Sequence, residues 1–457
     1  MKKRIGAYGA CPIYMRRLMK LLLVSLGCDK NLVDSEEMLA LLSERGYEIT
    51  DDEKSAEAAV INTCCFIDAA KKESIEEILS LGKLKKSASL KVLVVTGCMA
   101  QRYKEEILKE MPEVDAIVGT TGISGIADAV DAAFEGKKTV LIKDASESRK
   151  AVLKRVVSTG GRHAFLKIAE GCDKNCTYCI IPKIRGHYRS RPMEELTDEA
   201  RDLVNGGVRE LILVAQETTI YGTDLYGRKS LHILLQKLCE IPGLKWVRIL
   251  YCYPEEIYPE LIRTIADEPK ICHYLDLPIQ HASDEVLKRM NRRTTREDLE
   301  ILIGALREEI PDIILRTTLI TGFPGETDDD HKELLSFVEK MKFDRLGVFT
   351  YSREEGTPAS LMKPQVPKKT ARKRRGELML LQQKISLENG RKRIGSSTEA
   401  VIDQETSEDG IYTGRTYGEA PGIDGSVYIK TDKKLKSGDF IKVRITEATE
   451  YDLEGEA

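Results

Sequence analysis

Short apolar strands alternate with helical segments between residues 20 and 145, and this alternation limits the possible folds more than any other feature. The strands are predicted at Lys20–Leu26, Ala58–Thr63 and Val92–Thr96. The helices are predicted near Ser35–Arg45, Lys71–Leu84 and Tyr103–Met111. Strands that alternate with helices form parallel sheets with helices on both faces. We therefore expect residues 20–145 to form a doubly wound parallel sheet domain.

A cysteine follows each of these three strands: Cys28, Cys64 and Cys98. In a parallel sheet, ligands bind at the edge where the carboxyl ends of the strands meet. Three thiolates at that edge predict an iron–sulfur site, and they would leave one iron of a four-iron cluster open. The alternative is that the three are small buried apolar residues, as free cysteines often are. Cys65 is expected to point elsewhere.

Three more cysteines, Cys172, Cys176 and Cys179, occur at the spacing C-x3-C-x2-C. Thiolate is the soft ligand that iron–sulfur clusters and zinc select. On a four-iron cluster, three thiolates again leave one iron open for chemistry. A structural zinc site would need a fourth ligand, for which His163 and His187 are the nearest candidates. The spacing therefore favours an iron–sulfur cluster over zinc.

The same strand–helix alternation continues after this loop. Strands are predicted at Ala164–Ala169, Leu211–Ala215, Trp246–Leu250, Tyr274–Leu277, Ile313–Ile320 and Leu346–Tyr351. Helices are predicted at Met193–Asn205, Leu231–Cys239, Ser283–Met290, Arg296–Glu308 and Asp328–Met341. Six β/α units predict a partial (β/α)6 barrel over residues 158–390, with its site at the carboxyl face. We expect Cys239, Cys252 and Cys272 to be core residues.

Polar residues follow several of these predicted strands. Glu217 follows the second strand, where it could accept a hydrogen bond from an ammonium group or belong to the start of a helix. Gln280 and His281 follow the fourth strand, and His281 is expected to be a structural hydrogen-bonding residue. Arg316 lies within the fifth strand and could face the barrel interior or a helix. The stretch 321–327 predicts a close backbone approach and a new helix.

The last 67 residues, 391–457, are rich in short strands and turns, which predicts a small antiparallel β-barrel. Residues 396–457 carry 14 acidic against 7 basic side chains. An acidic barrel is suited to a basic protein partner rather than to a polyphosphate. A basic run at Lys368–Arg375 precedes it, and we interpret this run as the solvated face of a connecting helix rather than as an RNA contact.

The bulk composition is that of an ordinary soluble protein. The 457 residues carry a formal net charge of −3, so the whole chain is not an evident polyanion binder. The eleven cysteines, an odd number, indicate a reducing compartment, and we expect a cytoplasmic location. No apolar run reaches about 18 residues, so no membrane span is predicted. Residues 1–19 predict a disordered extension; its Cys11 is given no role.

The motifs around the cysteines resemble those of the methylthiotransferases, a family of radical S-adenosylmethionine enzymes. The matching stretches are 25–35, 62–64, 96–103 and the loop 170–179. The resemblance extends from about Lys20 to the C-terminus, where the barrel resembles a TRAM domain. The run Gly27-Cys28-Asp29-Lys30-Asn31 is similar to the branch that modifies an aspartate in the twelfth protein of the small ribosomal subunit. Another branch modifies a tRNA adenosine beside the anticodon.

This resemblance implies two [4Fe–4S] clusters, one on each set of three cysteines, and S-adenosylmethionine. It implies that Tyr178, Glu217 and Gln280 line the cofactor site, with no catalytic residue beyond the clusters. The cluster of the second set would cleave S-adenosylmethionine, and the radical would take hydrogen from the β-carbon of the target aspartate. The other cluster would present sulfur, and a second S-adenosylmethionine would supply the methyl group. A flavodoxin- or ferredoxin-like protein would donate electrons.

Two other functions stay open at this stage. The first is a tRNA methylthiotransferase, which the basic run at Lys368–Arg375 would favour if it contacts RNA. The second is a non-catalytic iron–sulfur or zinc module that bridges ribosome components, which would have no open metal site and would not cleave S-adenosylmethionine.

Overall fold

The computed structural model describes residues 3–4, 19–87, 89–147, 154–160 and 162–457. Of the extension predicted over residues 1–19, it describes the backbone of Lys3–Arg4 and Met19; the rest, including Cys11, lies outside the described residues. Among the residues described, no helix is both long enough and apolar enough to cross a bilayer.

The first domain is built on a mainly parallel sheet. Its strands are β1 (Lys3–Arg4), β2 (Lys20–Ser25), β3 (Glu48–Ile49), β4 (Ala58–Thr63), β5 (Val92–Gly97), β6 (Ala116–Val118) and β7 (Thr139–Leu141). They are ordered β1-β2-β4-β5-β6-β7, and β3 also pairs with β2. Only β1 is antiparallel to its neighbour among these described strands. The predicted strands that precede the three cysteines are therefore central and adjacent.

Helices cover both faces of this sheet, as predicted. They are α1 (Asp29–Arg45), α2 (Asp68–Ser87), α3 (Cys98–Tyr103), α4 (Glu105–Glu110) and α5 (Ile126–Phe134), with a short 3-10 turn at Ile123–Gly125. The face toward α1 and α5 buries Leu21, Leu23, Ala58, Val60, Val92 and Val94. The face toward α2, α3 and α4 buries Leu22, Val24, Ala59, Ile61, Leu93 and Val95. Near-continuous apolar strands are what a sheet buried on both faces requires.

The helix predicted near Tyr103–Met111 is present as α4 (Glu105–Glu110), whereas the helix before it was not predicted. This earlier helix, α3, begins at Cys98, directly after β5, and Lys104 separates it from α4. Lys104 has a positive φ of 47°, which ends the regular hydrogen bonding of α3. Cys98 is consequently the first residue of a helix rather than part of an extended loop.

The central domain is an open parallel barrel, again as predicted. Its strands are β8 (His163–Lys167), β11 (Glu210–Val214), β12 (Trp246–Ile249), β13 (Ile271–Asp276), β14 (Ile314–Thr321) and β15 (Arg345–Thr350). They pair in this order, and within residues 162–457 the first and last strands of this sheet do not pair with each other. A separate antiparallel pair, β9 (Ala169–Glu170) with β10 (Arg189–Ser190), borders the loop of Cys172.

Helices surround the barrel and connect it to the last domain. They are α6 (Ile181–Arg185), α7 (Met193–Asn205), α8 (Thr223–Tyr226), α9 (Leu231–Cys239), α10 (Pro259–Asp267), α11 (Asp284–Arg289), α12 (Arg296–Glu309), α13 (Asp328–Met341) and α14 (Lys368–Lys392). Short 3-10 turns occur at Pro254–Glu256 and Pro358–Ser360. The last helix, α14, packs along β15, the open edge of the barrel.

The C-terminal domain is a small closed barrel. Its strands are β16 (Ser397–Glu405), β17 (Ile411–Thr416), β18 (Val427–Lys430), β19 (Phe440–Ala448) and β20 (Leu453–Glu456), ordered β16-β17-β18-β20-β19. The pairings are antiparallel except that β18 and β20 are parallel. The small antiparallel barrel that was predicted is therefore present, with one parallel pair that arises because β20 returns beside β18.

Buried ion pairs hold the C-terminal barrel against the central one. Glu419 accepts hydrogen bonds from Arg345 (2.9 Å) and Arg393 (2.7 Å) and is 1% exposed. Arg415 donates to Glu210 of β11 at 2.7 Å. The contacts of Glu419 with Arg345 and of Arg415 with Glu210 span the predicted boundary between residues 390 and 391. The boundaries 20–145, 158–390 and 391–457 themselves stay predictions.

Candidate iron–sulfur sites

The loop of Cys172, Cys176 and Cys179 begins where strands β8 and β9 end. The Cys172 N–H donates to the Gly186 carbonyl at 3.1 Å, and the Cys179 N–H donates to the Cys176 carbonyl at 2.9 Å. Burial raises the pKa of Cys172 to about 11, and burial also raises the pKa of Cys179. Such thiols become thiolates when bound metal supplies positive charge. The donor set therefore fits an iron cluster.

Tyr253, which follows β12, contacts this loop directly. Its hydroxyl lies 2.7 Å from Cys176 Sγ. The guanidinium of Arg292 lies over the Tyr253 ring, 4.0 Å from the centroid, and makes two hydrogen bonds of 3.0 Å with Glu255. Sequence reasoning missed Tyr253 and Arg292. Tyr253 follows a barrel strand, and this position could have indicated a site residue. No feature of the sequence near Arg292 indicates such a role.

Tyr178, in the same loop, is held by aromatic contacts. Its ring makes an edge contact with Phe323, with centroids 6.4 Å apart, and Phe323 in turn contacts Tyr351 at 5.5 Å. Phe323 is fully buried in the turn that ends β14. Thr327 then caps α13 with Asp330, which confirms the predicted helix start. Whether Tyr178 touches a cofactor stays a prediction.

Glu217 is fully buried beside the cysteine loop, with one carboxylate oxygen available. Its Oε1 accepts a hydrogen bond from the Thr219 N–H at 2.8 Å, and Oε2 has no hydrogen-bond partner among the described residues. Burial raises the pKa of Glu217 to about 7, although Lys174 opposes this, and Glu217 contributes to the raised pKa of Cys172. It is not at a helix start, because α8 begins only at Thr223. A buried open carboxylate oxygen fits an ammonium group.

Gln280 has a left-handed backbone, with φ of 70°, at the carboxyl ends of β13 and β14. Its N–H donates to Thr318 and its carbonyl accepts from Ile320, at 2.9 and 2.8 Å. The neighbouring His281 is fully buried, and its Nδ1 accepts from the Ser283 N–H at 2.9 Å. These backbone contacts give His281 the structural role expected of it. A cofactor contact of Gln280 stays a prediction.

The loops of Cys28, Cys64 and Cys98 converge at one edge of the first sheet. Gly27 and Gly97 both have positive φ, and a Cβ atom on Gly27 would lie 2.6 Å from the Cβ of Cys64. Burial raises the pKa of Cys64, and the charges of Cys98 and then Cys28 raise it further. The close approach at Gly27 places the loop of Cys28 against Cys64. Cys28 is exposed, whereas Cys64 and Cys98 are buried.

The exposed end of this group faces the mouth of the central barrel. Tyr251, after β12, donates from its hydroxyl to Asp29 at 3.1 Å. The Lys30 ammonium lies 3.2 Å from the centroid of the Tyr251 ring. The Tyr251 carbonyl also accepts from the N–H of Thr218, next to Glu217. The first set of cysteines and the open carboxylate thus flank the same tyrosine.

The two histidines that could supply a fourth zinc ligand have other surroundings. Within the described ranges, no group of three or more His, Cys, Asp or Glu side chains is arranged to hold a single metal ion. His187 is exposed and its ring lies 2.7 Å from Asp173, and His163 is at the opposite end of β8 from Cys172. A four-iron cluster binds its three thiolates through different irons and needs no common centre.

The remaining candidates have structural surroundings. Cys65, Cys239, Cys252 and Cys272 are buried, as expected of core residues. Arg316 donates to Asp276 on the adjacent strand at 2.7 Å and reaches to within 3.8 Å of Asp424 in the C-terminal barrel. Its partners are therefore on a strand and on the last domain rather than on a helix.

Family comparisons match three segments of the chain. Residues 20–119 match the Uncharacterized protein family UPF0004, residues 166–338 the Radical SAM superfamily and residues 394–457 the TRAM domain. Together with the three-cysteine loop at the carboxyl face of an open barrel, these matches define a radical S-adenosylmethionine enzyme.

Curated relatives narrow this class further. The chain is 58% identical over 439 residues to the "Ribosomal protein uS12 methylthiotransferase RimO" of Lachnoclostridium phytofermentans, covering 96% of this chain and 100% of that protein. It is 50% identical over 439 residues to the protein of the same name in Clostridioides difficile, covering 96% and 99%. The chain belongs to the RimO family of methylthiotransferases.

Solved structures share the fold at low identity. The radical S-adenosylmethionine methyltransferase TsrM from Kitasatospora setae matches with a TM-score of 0.55 and 14% identity, over 87% of this chain and 77% of that chain. The cobalamin-dependent S-adenosylmethionine radical enzyme OxsB matches with a TM-score of 0.52 and 14% identity, over 76% and 55%.

Proposed function

We propose that this chain inserts a methylthio group at the β-carbon of an aspartate in the twelfth protein of the small ribosomal subunit. Membership in the RimO family, at up to 58% identity over nearly the full length of both chains, is the observation that carries this proposal. The convergence of two three-cysteine sites on one barrel mouth supports it.

Two [4Fe–4S] clusters and S-adenosylmethionine are the proposed cofactors. The proposed ligands of the clusters are two sets of three cysteines: Cys172, Cys176 and Cys179, and Cys28, Cys64 and Cys98. When bound, these groups supply radical hydrogen abstraction together with the sulfur and methyl of the product. The protein's own contribution is to hold the two sites at one place and to orient what binds there.

Particular side chains would perform this orientation. Glu217 would accept a hydrogen bond from the amino group of S-adenosylmethionine through its open oxygen. The Tyr253 hydroxyl would donate to Cys176 Sγ once that sulfur is a thiolate. Tyr251 would keep Asp29 and Lys30, and hence the Cys28 loop, against the barrel mouth. Each of these groups is buried or half-buried, so the interactions are little screened by water.

The exposed charge of the last barrel favours a basic protein as substrate. Ten of the fourteen acidic side chains in residues 396–457 are exposed: Glu399, Glu405, Glu408, Asp409, Asp432, Asp439, Glu447, Glu450, Glu454 and Glu456. Six basic side chains of this segment are exposed as well, so the surface is acidic on balance. Such a surface attracts a basic ribosomal protein and repels a polyphosphate chain.

The tRNA alternative rests on the exposed part of the basic run. Lys368, Lys369, Arg372 and Lys373 are exposed at the start of α14, whereas Arg374 is buried against Asp328 and Glu326. An exposed cationic turn could contact phosphates. The RimO relatives weigh against this function, and the substrate assay below distinguishes the two.

We also propose a flavodoxin- or ferredoxin-like electron donor and a cytoplasmic site of action. A one-electron donor is needed because cleavage of S-adenosylmethionine is reductive. The ten described cysteines are all free, which suits a reducing compartment.

The test is a choice between substrates. Both clusters are reconstituted without oxygen, S-adenosylmethionine and a reductant are added, and the ribosomal protein and bulk tRNA are offered in parallel. Mass spectrometry should find a methylthio group on an aspartyl peptide and none on tRNA. A methylthiolated nucleoside with an unmodified ribosomal protein would contradict the proposal.

A further inference from the structure

Arg185 belongs to the central domain by sequence but contacts a cysteine of the first domain. It ends helix α6, six residues after Cys179, and is 2% exposed. Its Nη2 lies 3.4 Å from Cys98 Sγ and donates to Asn31 Oδ1 at 2.5 Å. Among the described residues, no other Lys or Arg donates a hydrogen bond to the sulfur of any of the six candidate cluster ligands. This guanidinium is therefore the fixed cation of the Cys98 site.

Asn31, the other partner of Arg185 Nη2, connects the loops of all three cysteines in the first domain. Its Nδ2 donates to the carbonyl of Leu26, two residues before Cys28, at 2.9 Å. The same Nδ2 donates to the carbonyl of Thr63, next to Cys64, at 3.1 Å. Cys98 Sγ lies 3.8 Å from Asn31 Oδ1, so Arg185 Nη2 contacts both Cys98 and the side chain that connects the three loops.

The other side of the guanidinium points toward the second cysteine loop. Arg185 Nη1 donates to Asp34 at 2.8 Å and to Glu170 at 3.1 Å, and Glu170 is two residues before Cys172. Lys167 completes the group, because its ammonium also pairs with Asp34 and, at 2.9 Å, with Glu170. Lys167 makes the same two carboxylate contacts as Arg185 but has no hydrogen bond to a cysteine.

We propose that Arg185 is a positioning residue that sets the reduction potential of the cluster on Cys28, Cys64 and Cys98. This inference rests on the proposed function, which places a cluster there. An iron–sulfur cluster gains one negative charge when it accepts an electron, and hydrogen bonds to its sulfurs and nearby charge set its potential. A buried guanidinium that donates to Cys98 Sγ therefore stabilises the reduced form and raises the potential.

Arginine is suited to setting the potential of a cluster because it combines a permanent charge with several donors. Its guanidinium stays protonated throughout the working pH range and offers several N–H groups in a fixed plane. One edge can therefore stay bound to Asp34 and Glu170 while the other donates to the sulfur. The potential set in this way would not change with pH, and the cluster would keep its position relative to the Cys172 loop.

The experiment isolates the cluster of the first domain. In the full-length chain, Cys172→Ala, Cys176→Ala and Cys179→Ala remove the other site. The midpoint potential of the remaining cluster is then measured by redox titration followed by electron paramagnetic resonance. Arg185→Gln in this background should lower the equilibrium constant for one-electron reduction about tenfold, which is a shift of about 59 mV to lower potential.

Two variants separate this role from simple docking of the domains. Lys167→Gln removes a cation from the same carboxylates without removing a cysteine contact, so it should shift the potential by less than half as much. Arg185→Lys keeps the positive charge, so its potential should lie closer to that of the parent than to that of Arg185→Gln. The parent is the variant without Cys172, Cys176 and Cys179. The inference would be overturned if Arg185→Gln had the same potential as this parent and lost as much unfolding temperature as Lys167→Gln. Arg185 would then only hold the two domains together.

Arg185→Gln could be unable to bind iron, so a second measurement uses the parent with Arg185 intact. In the parent labelled with 15N-arginine, pulsed electron paramagnetic resonance of the reduced cluster should detect coupling to an arginine nitrogen. An intact cluster without that coupling would overturn the inference. If the parent binds no iron at all, the proposed second cluster fails instead, and the two failures are thereby distinguished.

Discussion

Replacing Glu217 with glutamine should weaken the binding of S-adenosylmethionine while preserving the fold. The glutamine carbonyl can still accept from the Thr219 N–H, which lies 2.8 Å from Oε1, but the negative charge at the unpartnered Oε2 is lost. A hydrogen bond that involves a charged group contributes about 1.5–3 kcal/mol. The dissociation constant should therefore rise about 10- to 150-fold.

The affinity should also depend on pH in a defined direction. Burial raises the pKa of Glu217 to about 7, although Lys174 lowers it in part. Protonation removes the negative charge that attracts the ammonium group, so the affinity is highest above about pH 7. It should weaken as pH falls through about 7 and level off near the affinity of Glu217→Gln. Glu217→Gln should remove this dependence.

The assay is equilibrium dialysis of labelled S-adenosylmethionine against reconstituted protein without reductant, so that nothing is cleaved. Glu256→Gln is the matched control, because Glu256 is paired with Lys174 and, at 2.8 Å, with Lys229. It should change the affinity less than about threefold. Unchanged affinity and pH dependence in Glu217→Gln would refute the role assigned to this carboxylate.

Further predictions concern the two cysteine sites and the junction with the C-terminal barrel. Cys176→Ala should abolish 5′-deoxyadenosine in a chromatographic assay, whereas Cys28→Ala should spare it and stop methylthio transfer; loss in both variants would contradict separate roles. Glu419→Gln should lower the free energy of unfolding by about 3–5 kcal/mol in urea, because Arg345 and Arg393 lose a buried partner. Burial alone would raise the pKa of Glu419, but these two arginines lower this pKa to about 2. Its contribution is therefore present above about pH 4.5 and lost as pH falls toward 2, a loss that the variant should not show.

The sheet edges that carry the cysteines could be predicted from the sequence. Apolar runs of five to seven residues located the strands, and parallel topology brings the ends of neighbouring strands to one edge. That rule placed Cys28, Cys64 and Cys98 together although 33 or more residues separate each from the next. It also placed Glu217 beside the Cys172 loop. A periodic pattern carries this information because it follows from burial on both faces of a sheet.

Side-chain contacts between residues far apart in the chain could not be predicted. Arg185, Tyr253 and Arg292 acquire their roles from residues 37 to 154 positions away in the chain, and no local pattern marks such pairs. Lys104 interrupted a helix that periodicity alone would continue, because its left-handed backbone leaves no mark in the apolar pattern. These are the places where tertiary packing overrides local preference.

Charge counts were informative but incomplete. Residues 396–457 are acidic, yet Glu419 and Asp424 are used inside the molecule, where they contact Arg393 and Tyr274. The basic run likewise loses Arg374 to buried ion pairs. A sequence gives the sum of charges in a segment, whereas burial decides which of them a partner can meet.

Iron analysis of anaerobically reconstituted protein tests most directly that two three-cysteine sites each hold a cluster. The native chain should bind about eight irons, and replacement of Cys28, Cys64 and Cys98 by alanine should leave about four, in a cluster that still binds S-adenosylmethionine. Replacement of Cys172, Cys176 and Cys179 should also leave about four irons. An iron content that does not change when Cys28, Cys64 and Cys98 are removed would contradict the account.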